Sequence, residues 1–336
     1  MLSSFSCPVC SESGWKAIQT FQYGRSDEIP RSLGAYRDYV LLRRRIMFEL
    51  WFPGAETITL QSVMCRECGF MAYAPRPAEE DIDAKYRFLQ ATERDIGGQG
   101  SSPKAKSADR RRATRVYRAI ARHATGGHIS LLDFGGGNGK LLAPFLERGH
   151  SCVLVDYTQE PLAGVEKIGD TIENVPADRR FDAIICSHVL EHVAQPAQLL
   201  RRLSDHLTAG GVIYGEVPAE CWRGIEIALD PVTHVNFFTL DTFLDLFARQ
   251  DLDVLAGKRI VGTYGEGRME VVLVVARKGT TDGRLRSRAD VREAERLLNP
   301  SFWMDLQRRL RLRRLPTVGG MLRTSRSVVA ALRGKQ

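Results

Sequence analysis

Leu131-Leu132-Asp133-Phe134-Gly135-Gly136-Gly137-Asn138-Gly139 reads as a short buried strand that runs directly into a glycine-rich turn. Glycine tolerates positive φ and lets the backbone approach a ligand that a Cβ would hold away. The spacing through Gly135, Gly137 and Gly139 is GxGxG. A pyrophosphate-binding dinucleotide fold needs GxGxxG, with its phosphates at the next helix N-terminus. A nicotinamide oxidoreductase is therefore disfavoured. Asp133, two residues before the first glycine, suits a ligand carrying an ammonium or sulfonium group better than a phosphate.

Outward from that turn, short apolar runs alternate with amphipathic segments, the rhythm of an α/β doubly wound sheet. A lead-in helix is expected over residues 110–123, with Val116 and Ile120 on its apolar face. Leu141, Leu142, Phe145 and Leu146 mark the next helix. Cys152-Val153-Leu154-Val155 is the second strand and ends at Asp156, where a nucleoside-binding α/β fold keeps a carboxylate for ribose hydroxyls. A weak strand is expected near Lys167-Ile168, and a clearer one over residues 181–187. A helix over 197–206, a turn at Gly210-Gly211 and a strand over 212–217 follow. Residues 239–250 read as a helix capped by Thr239 or Asp241. Val254-Leu255 and residues 270–275 are placed to close the sheet as a hairpin-like pair.

Four regions separate by composition: residues 1–90, a polar glycine-rich linker over 91–108, the α/β body over 109–280, and an Arg-rich extension over 281–336. The first region shows no long helical period. Its marks are Cys7-Pro8-Val9-Cys10 and Cys65-Arg66-Glu67-Cys68-Gly69, two CxxC knuckles of the kind that supply four thiolates to tetrahedral zinc. A four-cysteine site is closed, hence structural. The competing reading, a bare thiol pair or a redox CxxC, would normally have the motif follow a strand and open a helix. Residues 35–56 read as an insertion between the knuckles. Cys152 and Cys186 lie in apolar stretches as small core residues, and Cys221 is solitary.

These stretches together resemble class I S-adenosylmethionine-dependent methyltransferases. The resemblance rests on the 131–139 loop, Val155-Asp156, Phe181-Asp182-Ala183-Ile184-Ile185-Cys186-Ser187-His188-Val189-Leu190-Glu191-His192-Val193, and Leu207-Thr208-Ala209-Gly210-Gly211-Val212-Ile213. It implies a Rossmann-like sheet that holds S-adenosylmethionine. Asp133 would lie near the cofactor's methionine end, Asp156 at its ribose, and Ser187 and His188 along its methionine side. A zinc-knuckle segment ahead of such a domain is similar to bacterial methyltransferases that act on sugars and glycans. The Cys68-to-Pro77 phrase and the run from His234 to Thr239 carry that likeness.

His234 is the candidate general base, with His192 as runner-up and Glu191 similarly placed. A hydrogen-bonded histidine near the core is the competing reading for both. Relatives that methylate a sugar carbon carry a Tyr-x-Glu-His cluster, where this chain has Pro231 and Thr233. O-methylation of a nucleotide sugar or glycan precursor is therefore favoured over C-methylation. Small-molecule natural-product methylation and a non-catalytic zinc-containing interaction protein are the rivals.

The net charge is +8, and residues 301–336 carry nine basic residues against Asp305 alone, which equals the whole excess. Arg308, Arg309, Arg311, Arg313 and Arg314 sit among apolar residues at helical spacing. Such a helix either docks on its own body or lies on an anionic membrane surface. Nucleic acid is not expected, because no reader module accompanies the charge. No secretory signal is apparent, so the expected location is cytoplasmic, with peripheral attachment to the inner face of the membrane through this tail as an option.

Overall fold

The computed structural model describes residues 5–29, 36–93, 102–157, 160–220, 231–265, 267–279 and 291–299. The Arg-rich tail over 301–336, Cys221, and the Gly97–Ser101 part of the expected linker lie outside the described residues.

The body is a seven-stranded sheet. Its parallel strands are β4 (Ser130–Phe134), β5 (Ser151–Val155), β6 (Glu166–Gly169), β7 (Phe181–Ser187) and β8 (Leu207–Pro218). The sheet is finished by β10 (Leu252–Tyr264) and β11 (Gly267–Lys278), an antiparallel hairpin whose second strand pairs antiparallel with β8. The order is β10-β11-β8-β7-β4-β5-β6. The chain lays strands to one side of β4 and then crosses to the other, so a crevice opens at the carboxyl ends of β4 and β7. Leu131, Leu132, Ile184, Ile185 and Ile213 are fully buried, as strands covered on both faces require.

Several helices differ from expectation. The lead-in helix, α3 (Pro103–Ala121), starts seven residues before Arg110, because Ser102 caps it by accepting from Ala105 N–H at 3.2 Å and Pro103 occupies the first turn. The segment after the glycine loop is broken into a 3-10 turn at Lys140–Leu142 and a short α4 (Ala143–Leu146), with Pro144 in the first turn of α4. The strand expected from Val212 begins at Leu207 and runs through Gly210-Gly211. Helix α5 (Pro196–Asp205) buries Leu200 and Leu203. Helix α6 (Leu240–Ala248) is capped by Thr239 rather than Asp241.

The N-terminal region is not poor in helix. It holds α1 (Tyr36–Arg45), a π turn at Ile46–Trp51 and the fifteen-residue α2 (Glu79–Glu93). Its strands β1 (Trp15–Gly24), β2 (Thr57–Cys65) and β3 (Met71–Ala74) form an antiparallel sheet. The fourth strand of that sheet, β9 (Asn236–Phe237), follows β8 in the chain and pairs with β3. One apolar core joins Val63, Phe70 and Ala72 to Leu132, Phe238 and Phe243. Helix α7 (Val291–Leu298) adds Ala294, Leu297 and Leu298 to the core under β1 and β2. Among the described residues no helix is long and apolar enough to cross a membrane.

Candidate functional site

At the end of β4 the glycine turn bends over its own acid. Asp133 is fully buried, and neither carboxylate oxygen has a hydrogen-bond partner among the described residues. A Cβ on Gly136 would lie 2.1 Å from Asp133 Oδ2, so only glycine fits there. Gly135, Gly137 and Gly139 take φ of +67°, +61° and +80°. Above Gly137 a Cβ would meet nothing within 4 Å, which leaves the loop's outer face open. Gly137 N–H donates to Asp156 Oδ2 at 2.8 Å and so ties the loop to the end of β5. Burial pushes the Asp133 carboxyl up to about 7, against the opposing Arg112 guanidinium.

The β7 end of the crevice is polar and crowded. Arg112 of α3 donates to Ser187 Oγ at 2.7 Å, and Ser187 O–H donates to Glu216 Oε1 at 3.3 Å. Glu216, buried on β8, also accepts from Arg112 Nε (3.1 Å), Arg115 (2.7 Å), Tyr214 O–H (2.6 Å) and Tyr264 O–H (2.9 Å). Burial acts to raise this carboxylate. Nearby His188 and the two guanidinium groups outweigh it and hold Glu216 well below the usual carboxylate range. His188, at φ +60°, lies between Glu191 (3.3 Å) and Glu216 (3.5 Å).

Beyond it the three expected catalytic residues come together. Glu191 and His192 stand on the turn after β7, and His234 on the approach to β9. The two imidazole rings are 4.7 Å apart and edge to face. His192 Nδ1 bonds the Thr233 carbonyl at 2.7 Å. His234 Nδ1 bonds Glu220 Oε2 at 2.5 Å. In the neutral ring each bond requires the proton on Nδ1. Burial first, then His234 and Lys85, holds His192 down at about 3, against Glu191. Glu191 is held at about 2, because His192, His188 and His234 outweigh its burial.

The N-terminal region braces this loop. Tyr39 O–H and Arg43 Nε reach Thr233 Oγ1 at 2.8 and 2.9 Å. Buried Lys85 donates to the Val232 and Thr233 carbonyls at 3.3 and 3.5 Å. Tyr86 stacks on Tyr157, the residue after Asp156, at 6.0 Å.

Sequence reasoning missed Arg112, Glu216 and Glu220. Arg112 is hidden in the run Arg110-Arg111-Arg112, which reads as a solvated helix face. Glu220 ends Glu216-Val217-Pro218-Ala219-Glu220, at the carboxyl edge where site residues gather, and that position was the available signal. The carboxylate absent immediately before His234 is thus supplied from fourteen residues upstream.

Away from the crevice, Cys7, Cys10, Cys65 and Cys68 converge with all four sulfurs within 4.8 Å of one another. The Cys7–Cys68 and Cys10–Cys65 sulfurs are 3.6 and 3.5 Å apart. A tetrahedral zinc with bonds of about 2.3 Å needs sulfurs about 3.8 Å apart, so the donor set fits that metal. Gly69, at φ +74°, turns the second knuckle.

Residues 107–256 match a family described as "Methyltransferase domain". Curated relatives include the ubiquinone biosynthesis O-methyltransferase of Rickettsia typhi, 27% identical over 95 residues, covering 25% of this chain and 39% of that protein. The protein of the same description from Nitrobacter winogradskyi is 26% identical over 118 residues, covering 32% and 45%. The chain spans about two fifths of the length of the curated relatives it matches. Among solved structures, 1,6-didemethyltoxoflavin-N1-methyltransferase of Burkholderia thailandensis, with S-adenosylhomocysteine bound, has a TM-score of 0.47 at 17% identity, covering 63% of this chain and 96% of that one. The N-methyltransferase NodS of Bradyrhizobium japonicum WM9 has a TM-score of 0.42 at 16% identity, covering 56% and 97%.

Proposed function

We propose, from the premise that residues 107–256 are a class I S-adenosylmethionine-dependent methyltransferase domain, that the chain O-methylates a nucleotide sugar or glycan precursor with His234 as general base. The observation that carries the base assignment is the Glu220–His234 contact. A carboxylate that accepts from Nδ1–H supports an imidazole that takes up a hydroxyl proton, a carboxylate–imidazole pair suited to general base catalysis.

S-adenosylmethionine, when bound, supplies a methyl group already made electrophilic by its sulfonium. The protein's part is alignment and proton removal. The open face of Gly137 leaves room at the loop, and Gly135 and Gly139 shape it. Asp133, beneath Gly136, is a buried carboxylate without a hydrogen-bond partner among the described residues, which suits a positively charged ligand. In this reading Asp156 takes the ribose hydroxyls, and Ser187 and His188 line the other end. His192 and Glu191 flank the acceptor side, where they orient the acceptor and stabilise the charged imidazole of His234.

The printed activity of the curated relatives, O-methylation, favours a hydroxyl acceptor. Methylation at a sugar carbon is the second reading, favoured by Glu220, which supplies the carboxylate that Pro231 and Thr233 do not. The four cysteines, in our reading, hold one structural zinc. The test is a panel of nucleotide sugars, glycan precursors and phenols assayed with wild type and His234→Ala, with cofactor affinity measured in parallel. Turnover by His234→Ala at the wild-type rate rejects the base. A phenol as the sole acceptor rejects the sugar class.

A further inference from the structure

We propose that Arg43, with Tyr86 and Lys85 beside it, binds a phosphate group of the acceptor where the N-terminal helices meet the His234 loop. Arg43 of α1 is 8% exposed. Its Nε donates to Thr233 Oγ1 at 2.9 Å, one residue before His234, and its guanidinium carbon lies 4.2 Å over the Tyr39 ring. Anchoring at Nε and stacking on a ring together fix the plane of the fork. Nη1 of the same group is buried and has no hydrogen-bond partner among the described residues. A buried donor left without an acceptor is costly, and more so on a charged group. A phosphate oxygen removes that cost and matches the planar guanidinium fork.

Two neighbours on α2 give the second observation. Lys85 is 2% exposed, and its ammonium points at the same loop, donating to the Val232 and Thr233 carbonyls. Tyr86 lies within electrostatic reach of Arg43, Glu191 and Asp156. Burial, then Glu191 and Tyr157, pushes its phenol above the ordinary range against the pull of Arg43, so the hydroxyl keeps its proton and can donate. The acids on this side, Glu191 and Glu220, face His188 and His234 instead of Arg43. Two buried cations from adjoining helices thus meet at Thr233, where the only acceptors they reach among the described residues are neutral.

The site rests on the unpartnered Nη1 and the charges around it; that the anion belongs to the acceptor rests on the nucleotide-sugar reading. A phosphate held here would set the distance of an attached sugar from the His234 imidazole, because Thr233 links the guanidinium to the residue next to that ring.

The test is calorimetric titration of the full chain with inorganic pyrophosphate, then with thymidine and uridine diphosphates. Wild type is expected to bind pyrophosphate, Arg43→Gln to weaken it at least tenfold, and Arg43→Lys to recover part of the loss. If substitution of buried Arg43 prevents folding, Tyr86→Phe decides: it keeps the ring, loses the hydroxyl and is expected to weaken pyrophosphate severalfold. Tighter binding of a nucleoside diphosphate than of pyrophosphate points to a nucleotide sugar as the source of the phosphate, and equal binding to a phosphorylated glycan precursor; both sustain the site. S-adenosylmethionine affinity, measured on the same samples, reports the methyl-transfer reading separately. Arg43-dependent pyrophosphate binding without cofactor binding sustains the anion site and sinks the methyltransferase reading. No pyrophosphate bound at millimolar concentration overturns the site. So does pyrophosphate held equally well by Arg43→Gln, as the Arg-rich tail would hold it, or by Tyr86→Phe where that variant decides.

Discussion

Asp133 makes cofactor affinity depend on pH, with a sign fixed by its burial. Its carboxyl titrates at about 7 in the free protein, because burial outweighs the Arg112 guanidinium and Asp156 adds to the rise. A ligand with a positive ammonium and sulfonium favours the ionised form, so binding must expel the proton. Affinity is then close to its ceiling at pH 8 and falls about tenfold by pH 6, since each unit below the free-state value costs about 1.4 kcal/mol. The assay is isothermal titration calorimetry with S-adenosylmethionine from pH 5.5 to 8, in two buffers of different ionisation enthalpy. At pH 7 about half a proton should be released per cofactor bound. Asp133→Asn removes that proton and should flatten the slope while lowering affinity at pH 8. His188 is the other nearby titrating group: burial lowers it, but Glu191 and Glu216 raise it above the ordinary histidine value, so a residual slope in the Asn variant belongs to it. For the free protein's stability the sign is opposite to a salt-bridged acid. The folded value lies above the unfolded one, so the stabilising contribution is complete below about 4 and is lost as pH rises through 7. Affinity that stays flat from pH 5.5 to 8, or an Asn variant with the full wild-type slope, refutes the buried-acid account.

Other outcomes follow from the same geometry. His234→Ala should lower turnover at least a hundredfold and leave cofactor affinity within about twofold, while Glu220→Gln costs less because the imidazole remains; single-turnover and binding measurements separate the two. Denatured protein should release about one zinc per chain from the four cysteines, and Cys65→Ser should abolish that release and lower the melting temperature. His192 titrates at about 3 in the fold, below its unfolded value, so its contribution is complete above about 6.5 and is lost as pH falls towards 3. Chemical denaturation of His192→Gln should show a shallower acid limb than wild type.

What the sequence made legible was local. The Asp133–Gly139 loop needs only a strand, an acid and glycines at fixed spacing, and the structure gives the three glycines positive φ. Asp156 was placed by the end of its strand, and the closing hairpin by two apolar runs. Helix α2 has no place in the sequence reading, although Ile82, Tyr86 and Leu89 recur at helical spacing behind an acidic first turn; the Cys65/Cys68 pair just before it marks a knuckle instead. The Ser102-Pro103 start of α3 was read as linker, although a serine cap followed by proline is a helix beginning. The remainder depends on pairing across the chain. β9 is two residues long and exists because β3 is there to receive it. Glu220 and His234 have no local signal for their contact, and Arg112 becomes distinct from Arg110 and Arg111 only when α3 turns it towards Ser187.

The glycine loop and the His234 loop therefore have different structural supports. The glycine loop and Asp156 belong to the parallel strands of the body. His234 lies two residues before β9, a strand of the N-terminal sheet, and Phe238 beyond it packs on Phe70 at 5.3 Å. Phe70 follows the Cys68-Gly69 knuckle, whose Cys65 N–H bonds the Phe70 carbonyl. Arg76 ties the same region to the Val235 and Ala194 carbonyls and to Asn236. A disturbance at the four cysteines thus reaches His234 through β3, Phe70 and β9, a short path of packed and hydrogen-bonded residues. The path to Asp133 and Gly137 runs through the shared core instead, where Leu132 is held on both sides by β5 and β7. If His234 serves the acceptor as proposed, the four cysteines bear on its position through β3 and β9, while the strands of the body hold the glycine loop.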